Sequence, residues 1–384
     1  MYVKDTRKIQ DKFASITDRL IEYKGLASKI THNIERGLTS TFEFGPFQDT
    51  VKAIFEKTQE LDTQYTLECV KINVVVTALV NSVQDFEDDA SLKLNDDLLQ
   101  LTQILKAEDF NQNPYILNFK MGDVASVTHK FFKIEIEPIT LLQAGAKVAP
   151  NGYRGLPQLG FFEEKVVIPY LKNLKNKTFK QVSPKEINAT QKHIDAAHGK
   201  VLNIGLGMGY FAYMASLKDD VEKVTIIEQD NDLIEFFKEH FLPHFSHREK
   251  IEIINSTYYD YLDKITDNQF DFCFIDIDEG TTNIEQYLPG FLLFKTICKK
   301  FKKMEVSFFL EAEYKILLTD ALVMVFYTNC KKTMEDYAQL PDLDLNKNDQ
   351  TLFDFINFVY KKVKIKDPSD FDYYINYNTL IKML

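Results

Sequence analysis

The chain has no tryptophan, so aromatic burial falls to its 31 Phe and 19 Tyr residues. Cysteine is sparse: Cys69, Cys273, Cys298 and Cys330 are far apart and form no CxxC pair. That spacing argues against a disulfide framework or a zinc site. Cys273 sits in an apolar run, where a thiol serves as a small hydrophobe. Positive charge is in deficit. A net charge of -11 and a pI near 5.3 give no broad footprint for phosphate backbones, so no nucleic-acid partner is expected. The acidity reads as a solubility feature. Long apolar runs are missing as well. NVVVTALV, from Asn73, is far too short to cross a bilayer, and MYVKDTRKIQDKF lacks the apolar stretch of a signal peptide. The expectation is a cytoplasmic protein with no membrane partner.

What is present suffices for a core. Of 384 residues, 45% are hydrophobic and 27% charged, an ordinary globular balance on a chain long enough for about two domains. Between Thr6 and Ile34, Ile9, Phe13, Ile16, Leu20, Tyr23, Ile30 and Ile34 recur at steps that place them on one helical stripe. Gly45-Pro46 punctuates the chain before a second helical stretch with Val51, Ile54 and Phe55. A third follows through Leu94, Leu98, Leu101 and Leu105. Residues 1–112 thus read as a helical module whose stripes form a bundle core. Any association between copies of the chain would run through it.

Past Asn113-Pro114 the period changes to two, in Phe131–Glu137. A turn-rich run, Pro150-Asn151-Gly152 to Gly160, leads to a second strand-like piece, Lys165–Ile168. Residues 113–180 read as a small β element. Ser183-Pro184-Lys185-Glu186 opens a helix, with Ser183 capping and Pro184 at the first position, to about Ala197. Short apolar runs then alternate with polar helical stretches: Val201–Ile204, Val224–Ile227, Ile251–Ile254, Phe272–Ile275 and Val306–Leu310. That alternation predicts, for residues 181–384, a Rossmann-like α/β domain: a mostly parallel sheet with helices on both faces. A last helix opens at Asp367-Pro368-Ser369 and carries Phe371, Tyr374 and Leu380.

The first of these strands runs into VLNIGLGMGYFAYMAS, from Val201. A strand that ends in a glycine turn and opens a helix presents bare amides to a ligand. Gly205, Gly207 and Gly209 supply the turn, and Glu228 ends the second strand 23 residues after Gly205. A carboxylate at that spacing accepts hydrogen bonds from ribose hydroxyls. Tyr210 stands where a dinucleotide fingerprint wants its third glycine, and no Gly-Lys-Ser/Thr follows Gly209, so neither a dinucleotide nor a Walker loop fits.

The Gly-x-Gly-x-Gly loop resembles that of class I S-adenosylmethionine-dependent methyltransferases and of their spermidine-synthase-like relatives. VTIIEQDNDLIEFF and FDFCFIDIDEG are similar to the second- and fourth-strand motifs of the spermidine-synthase-like branch, and the resemblance covers roughly residues 180–315. It implies S-adenosylmethionine as cofactor. Gly205, Gly207 and Gly209 would line its methionyl part, Glu228 would hold its ribose, and Asp276 would face the transfer centre as the catalytic carboxylate.

Three positions depart from the pattern. Asn203 replaces the acid that precedes the first glycine, so it can accept a hydrogen bond but offers no charge to the cofactor's ammonium. The third strand leads to Asn255-Ser256-Thr257-Tyr258 in place of an adenine-reading acid, which leaves Thr257 or a main-chain group to serve. Asp276-Ile277-Asp278-Glu279-Gly280 lacks the Asp-x-x-Asp-Pro of aminopropyltransferases.

The leading expectation is a methyltransferase acting on a small-molecule acceptor. The alternatives are an aminopropyl- or aminocarboxypropyl-transferase, and a non-catalytic nucleotide-binding scaffold. Acceptor contacts would come from Gly152–Phe162, Glu186 and Asp276–Thr282. Asp278 and Glu279 read equally as a solvated loop, and Tyr210, Phe211, Tyr258 and Tyr259 as pocket wall or core. His240, His244 and His247 have helical spacing, but Pro243 interrupts it and no carboxylate pattern completes a metal site, so no metal is expected. Lys299–Lys303 reads as a wet helix face.

Overall fold

The computed structural model describes residues 2–4, 6–12, 30, 44–61, 65–83, 89–119, 121–148, 155–277, 293–294, 296–309 and 361–375. Two compact units divide the chain. One comprises Met1–Ile104, Ile139–Phe161 and Ala312–Leu384; the other comprises Leu105–Pro138 and Phe162–Glu311.

In the first unit, helices Phe44–Leu61, Leu67–Val83 and Asp89–Leu101 share a core with a three-stranded sheet of Thr102–Leu105, Gly155–Phe162 and Leu142–Val148, in that order. The helix Leu67–Val83 is central. Its Val74, Val75, Val76, Leu79 and Val80 are all buried, as expected of a helix apolar on more than one side. Two details differ from the periodic reading. Gly45-Pro46 lies inside the first turn of Phe44–Leu61, where a proline's missing N–H costs nothing. Leu105 leaves the helical stripe, because the helix stops at Leu101 and β-branched Thr102 begins a strand. Of the expected first helix, residues 7–12 are helical, and Ile9 and Ile30 are buried. Phe13, Ile16, Leu20, Tyr23 and Ile34 lie outside the described residues, as do Pro150–Gly152, Asp278–Thr282, Leu310, Cys330 and Leu380. Pro368–Ile375 is helical, and Asp367 Oδ1 accepts from the Ser369 amide at 3.0 Å.

The second unit contains two sheets. The antiparallel one runs in the order β1 (Val124–Ala125), β2 (His129–Ile136), β3 (Val166–Asn173) and β4 (Phe179–Gln181). Its central pair matches His129 with Asn173 and Ile136 with Val166. After helix α1 (Pro184–Ala196) come β5 (Gly199–Ile204), α2 (Tyr210–Ser216), β6 (Val221–Glu228), α3 (Asn231–His240), β7 (Ile251–Asn255), α4 (Tyr258–Leu262), β8 (Phe272–Ile275) and β9 (Glu305–Phe308). All five strands are parallel, in the order β7-β6-β5-β8-β9. This is the 3-2-1-4-5 order of a doubly wound Rossmann-like sheet, which reverses between β5 and β8. Ligands of such sheets bind beyond the carboxyl ends of the strands at that reversal.

Local chemistry sets the elements. The Ser183 Oγ accepts from the Glu186 amide at 3.5 Å to start α1, and Asp230 Oδ1 accepts from Asp232 and Leu233 to start α3. One core then joins both sheets. Val201, Val224, Ile226 and Phe274 of the parallel strands pack with Phe211 and Phe237 of the helices and with Phe131 and Leu171 of β2 and β3. The antiparallel sheet is therefore built into the Rossmann-like unit, and its β3–β4 end reaches the strand crossover. No helix among the described residues is long and apolar enough to cross a membrane.

Candidate cofactor site at the strand crossover

The glycine loop follows β5 and is held from three sides. From below, buried Asn203 donates through Nδ2 to the Gly205 carbonyl at 2.6 Å, so its amide serves the loop. Gly205 has φ +96°, and its N–H bonds to the Ile227 carbonyl at 2.9 Å. A Cβ there would lie 1.7 Å from the Asp276 carbonyl oxygen, so only glycine lets β5 and β8 approach this closely. Gly207, at φ +52°, is different. A Cβ there would meet only Asp276 Oδ2, at 3.7 Å, so bare backbone faces open space.

Gly209 lies away from that space. It caps α2 at φ +72°, and a Cβ would strike the Phe237 ring at 2.6 Å and Phe245 at 3.1 Å. Its want of a side chain serves helix packing.

From outside, Tyr115 holds the loop. Fully buried, it donates its hydroxyl to the Met208 carbonyl at 2.5 Å and stacks on Phe119. Burial, and secondarily the charge of Glu186, push the Tyr115 phenol well above its ordinary value, so it remains a donor. Tyr210, linked to Asn113 Nδ2 at 3.1 Å, is pushed up to about 12 by burial. Replacing Tyr115 with Phe leaves the Met208 carbonyl unpaired in the core. The expected cost is about 1–2 kcal/mol, read from the urea midpoint of Tyr115→Phe against the parent chain.

The third support is Glu228. Its Oε2 accepts from the Leu206 amide at 3.0 Å, and its Oε1 from the Gln229 and Asp230 amides at 2.8 and 2.9 Å. The carboxylate thus ties the end of β6 to the glycine loop while still lining the cleft. Thr257, the expected adenine reader, is spent on local structure. Its hydroxyl caps α4, accepting from the Asp260 amide at 3.2 Å and donating to Asp260 Oδ2 at 2.8 Å. Its neighbours Ser256 and Tyr258 line the cleft in its place.

Asp276 follows β8, with its amide donating to the Ile204 carbonyl at 2.7 Å. Together these groups border a cavity of about 510 Å³, a size suited to a nucleoside-bearing cofactor. Gly205, Gly207, Glu228 and Asp276 all line it; Asn203, Gly209 and Thr257 do not. The opposite wall comes from the antiparallel sheet, through His129, Asn173, Asn176, Thr178 and Lys180. No motif marked that wall. The one available signal was the alternating strand around Phe131, which carries His129 at its start.

The three histidines at helical spacing take separate partners. His240 Nε2 lies 3.8 Å from Glu239, His244 packs on Phe119, and His247 Nδ1 lies 3.3 Å from Glu249. Cys273 is buried, and burial pushes its thiol well up, so it behaves as an apolar group.

Comparison with known proteins bears on the same residues. No curated relative matches the chain. Two of the solved structures similar to part of it are spermidine synthases. One is spermidine synthase from Thermotoga maritima, with 20% identity over 41% of this chain and 60% of that one, and a TM-score of 0.26. The other is a spermidine synthase in complex with the transition-state analogue AdoDATO, with 19% identity over 41% and 61%, and the same TM-score of 0.26. The chain thus spans about three fifths of the length of these structures. Residues 167–295, from β3 through the glycine loop, Glu228 and Asp276, match the family model of the O-methyltransferases. Over that span the chain is similar to this methyltransferase family, in line with the resemblance its motifs carry.

Proposed function

We propose that the second unit binds S-adenosylmethionine and transfers its methyl group to a small-molecule acceptor. The observation that carries this reading is the convergence, at the reversal between β5 and β8, of Gly205, Gly207, Glu228 and Asp276 on one cavity. The O-methyltransferase match over residues 167–295 supports methyl as the transferred group. The cavity fits the cofactor in kind: bare backbone at Gly207, a carboxylate at the ribose position of such folds, and a second carboxylate across the loop.

When bound, S-adenosylmethionine supplies a methyl group already activated on a sulfonium. The protein then has to place an acceptor in line and take its proton. Glu228 would hold the ribose, the Gly205–Gly207 backbone would lie along the methionyl chain, and Asp276 would orient the acceptor and receive its proton. Ser256, which lines the cavity beyond β7, would contribute to adenine recognition.

Calorimetry with S-adenosylmethionine, its demethylated product, decarboxylated S-adenosylmethionine and methylthioadenosine tests the reading. Binding of the first two is expected. Selective binding of the decarboxylated form would point to aminopropyl transfer, and no binding at all to a scaffold. In the same assay, folded Glu228→Ala should lose about tenfold in affinity, the value of one hydrogen bond to a charged acceptor. Unchanged affinity would remove Glu228 from the site.

A further inference from the structure

Glu228 cannot satisfy a ribose diol alone. A carboxylate has about four acceptor positions, and the amides of Leu206, Gln229 and Asp230 already occupy three. One remains, enough for a single hydroxyl. A second polar pair borders the same cavity. His129, at the start of β2, is buried and packs its ring against Phe236 at 5.8 Å. Its Nδ1 is 3.0 Å from the Thr128 hydroxyl. Its Nε2 makes no hydrogen bond among the described residues, and Asp230 Oδ2 lies 3.9 Å away. Asp230 Oδ1 is committed to the first turn of α3, so Oδ2 is the oxygen left for the cavity. A separation of 3.9 Å is too long for a direct hydrogen bond, yet a hydroxyl oxygen seated beside the gap can reach both atoms.

We infer that His129 and Asp230 form a second ribose-recognition point, which takes one hydroxyl of the diol while Glu228 takes the other. The inference rests on reading the cavity as an adenosyl site. Burial lowers the His129 imidazole below its ordinary value, against the opposing pull of Asp230 and Asp232, so the ring is neutral near pH 7. With the Thr128 hydroxyl donating to Nδ1, the ring proton sits on Nε2, a tautomer assigned from the hydrogen-bond network. The ligand hydroxyl then accepts from Nε2–H and donates to Asp230 Oδ2. Each group finds a complementary partner, and the antiparallel sheet becomes a specificity element of the Rossmann-like site.

The test pairs a protein change with a ligand change. His129→Phe keeps a ring against Phe236 and removes the donor. Wild type and variant are titrated calorimetrically with methylthioadenosine and with its 2′-deoxy and 3′-deoxy counterparts. The expected result is a loss of about threefold to tenfold for the parent ligand in His129→Phe, the worth of a neutral hydrogen bond. That loss should vanish for the one deoxy ligand that lacks the partnered hydroxyl and persist for the other. His129→Gln, whose amide reaches towards the Nε2 position, should recover part of the affinity. It also carries the comparison if the Phe variant fails to fold.

Equal losses on all three ligands, or no loss on any, would overturn the assignment while leaving the adenosyl site standing. Failure of the wild-type protein to bind any adenosyl thioether or sulfonium would overturn the adenosyl reading, and this inference with it.

Discussion

Gly205→Ala should abolish the native second unit, whereas Gly207→Ala, two residues on, should fold. The contrast comes from what each new methyl group would meet. At Gly205 it would be driven to 1.7 Å from the Asp276 carbonyl oxygen, a backbone atom with no freedom to retreat. The Asp276 amide is bonded to the Ile204 carbonyl and the Gly205 amide to Ile227, so separating the clashing atoms breaks strand pairing at the centre of the sheet. Left-handed φ strain adds about 1–3 kcal/mol, and the total should exceed about 4 kcal/mol, at the far end of single-residue effects. At Gly207 the methyl meets only a carboxylate oxygen at 3.7 Å, which leaves a φ penalty of about 1 kcal/mol. Soluble yield and thermal unfolding of the two variants check this. A stable Gly205→Ala protein would contradict the close approach of β5 and β8.

Asp276→Asn should separate charged from neutral ligands. Asn203 brings no charge to the loop and its amide is turned to Gly205. Of the carboxylates that line the cavity, Glu228, at the end of β6, is bonded to three amides, Asp230 starts α3, and Asp276 follows β8. S-adenosylmethionine carries a sulfonium and an ammonium; methylthioadenosine carries neither. Loss of one charge-assisted interaction is worth about 1.5–3 kcal/mol, so affinity for the sulfonium should fall roughly tenfold to hundredfold while the thioether binds within about twofold of wild type. Calorimetry with both ligands gives the answer. Parallel losses would mean that Asp276 acts through loop structure rather than charge.

Much of this site was legible in the sequence because its central parts are local. A strand, a glycine turn, a helix and an acid at the end of the next strand lie within 30 residues, and their spacing follows from one βαβ unit. Asp276 was legible from the apolar run Phe272–Ile275, since side chains beyond a buried parallel strand face the crevice. The remainder depended on information with no local trace. Thr257 and Ser256 are adjacent, and which faces the cavity turns on where β7 ends and α4 is capped. Gly209 shares the spacing of Gly205 and Gly207, yet its neighbour is Phe237, a long-range partner. His129 is about 100 residues from Glu228, and only the pairing of β2 with β3 and the shared core behind them bring it to the cavity. Leu105 fitted a helical period until Thr102 turned the chain into a strand.

Neither unit is a continuous stretch of chain. The first is assembled from three segments and the second from two, with Ile139–Phe161 passing through the first before the second resumes. During synthesis, Tyr115 and His129 therefore emerge long before the glycine loop and Asp230 that they serve, and β8 and β9 arrive later still. Early-made residues such as Phe119 and Phe131 must wait for α2 and α3 to cover them. A gene fragment cut at residue 181 would encode the parallel strands without Tyr115 or the imidazole wall. The smallest autonomous piece is set by this interleaving rather than by the span of recognisable motif.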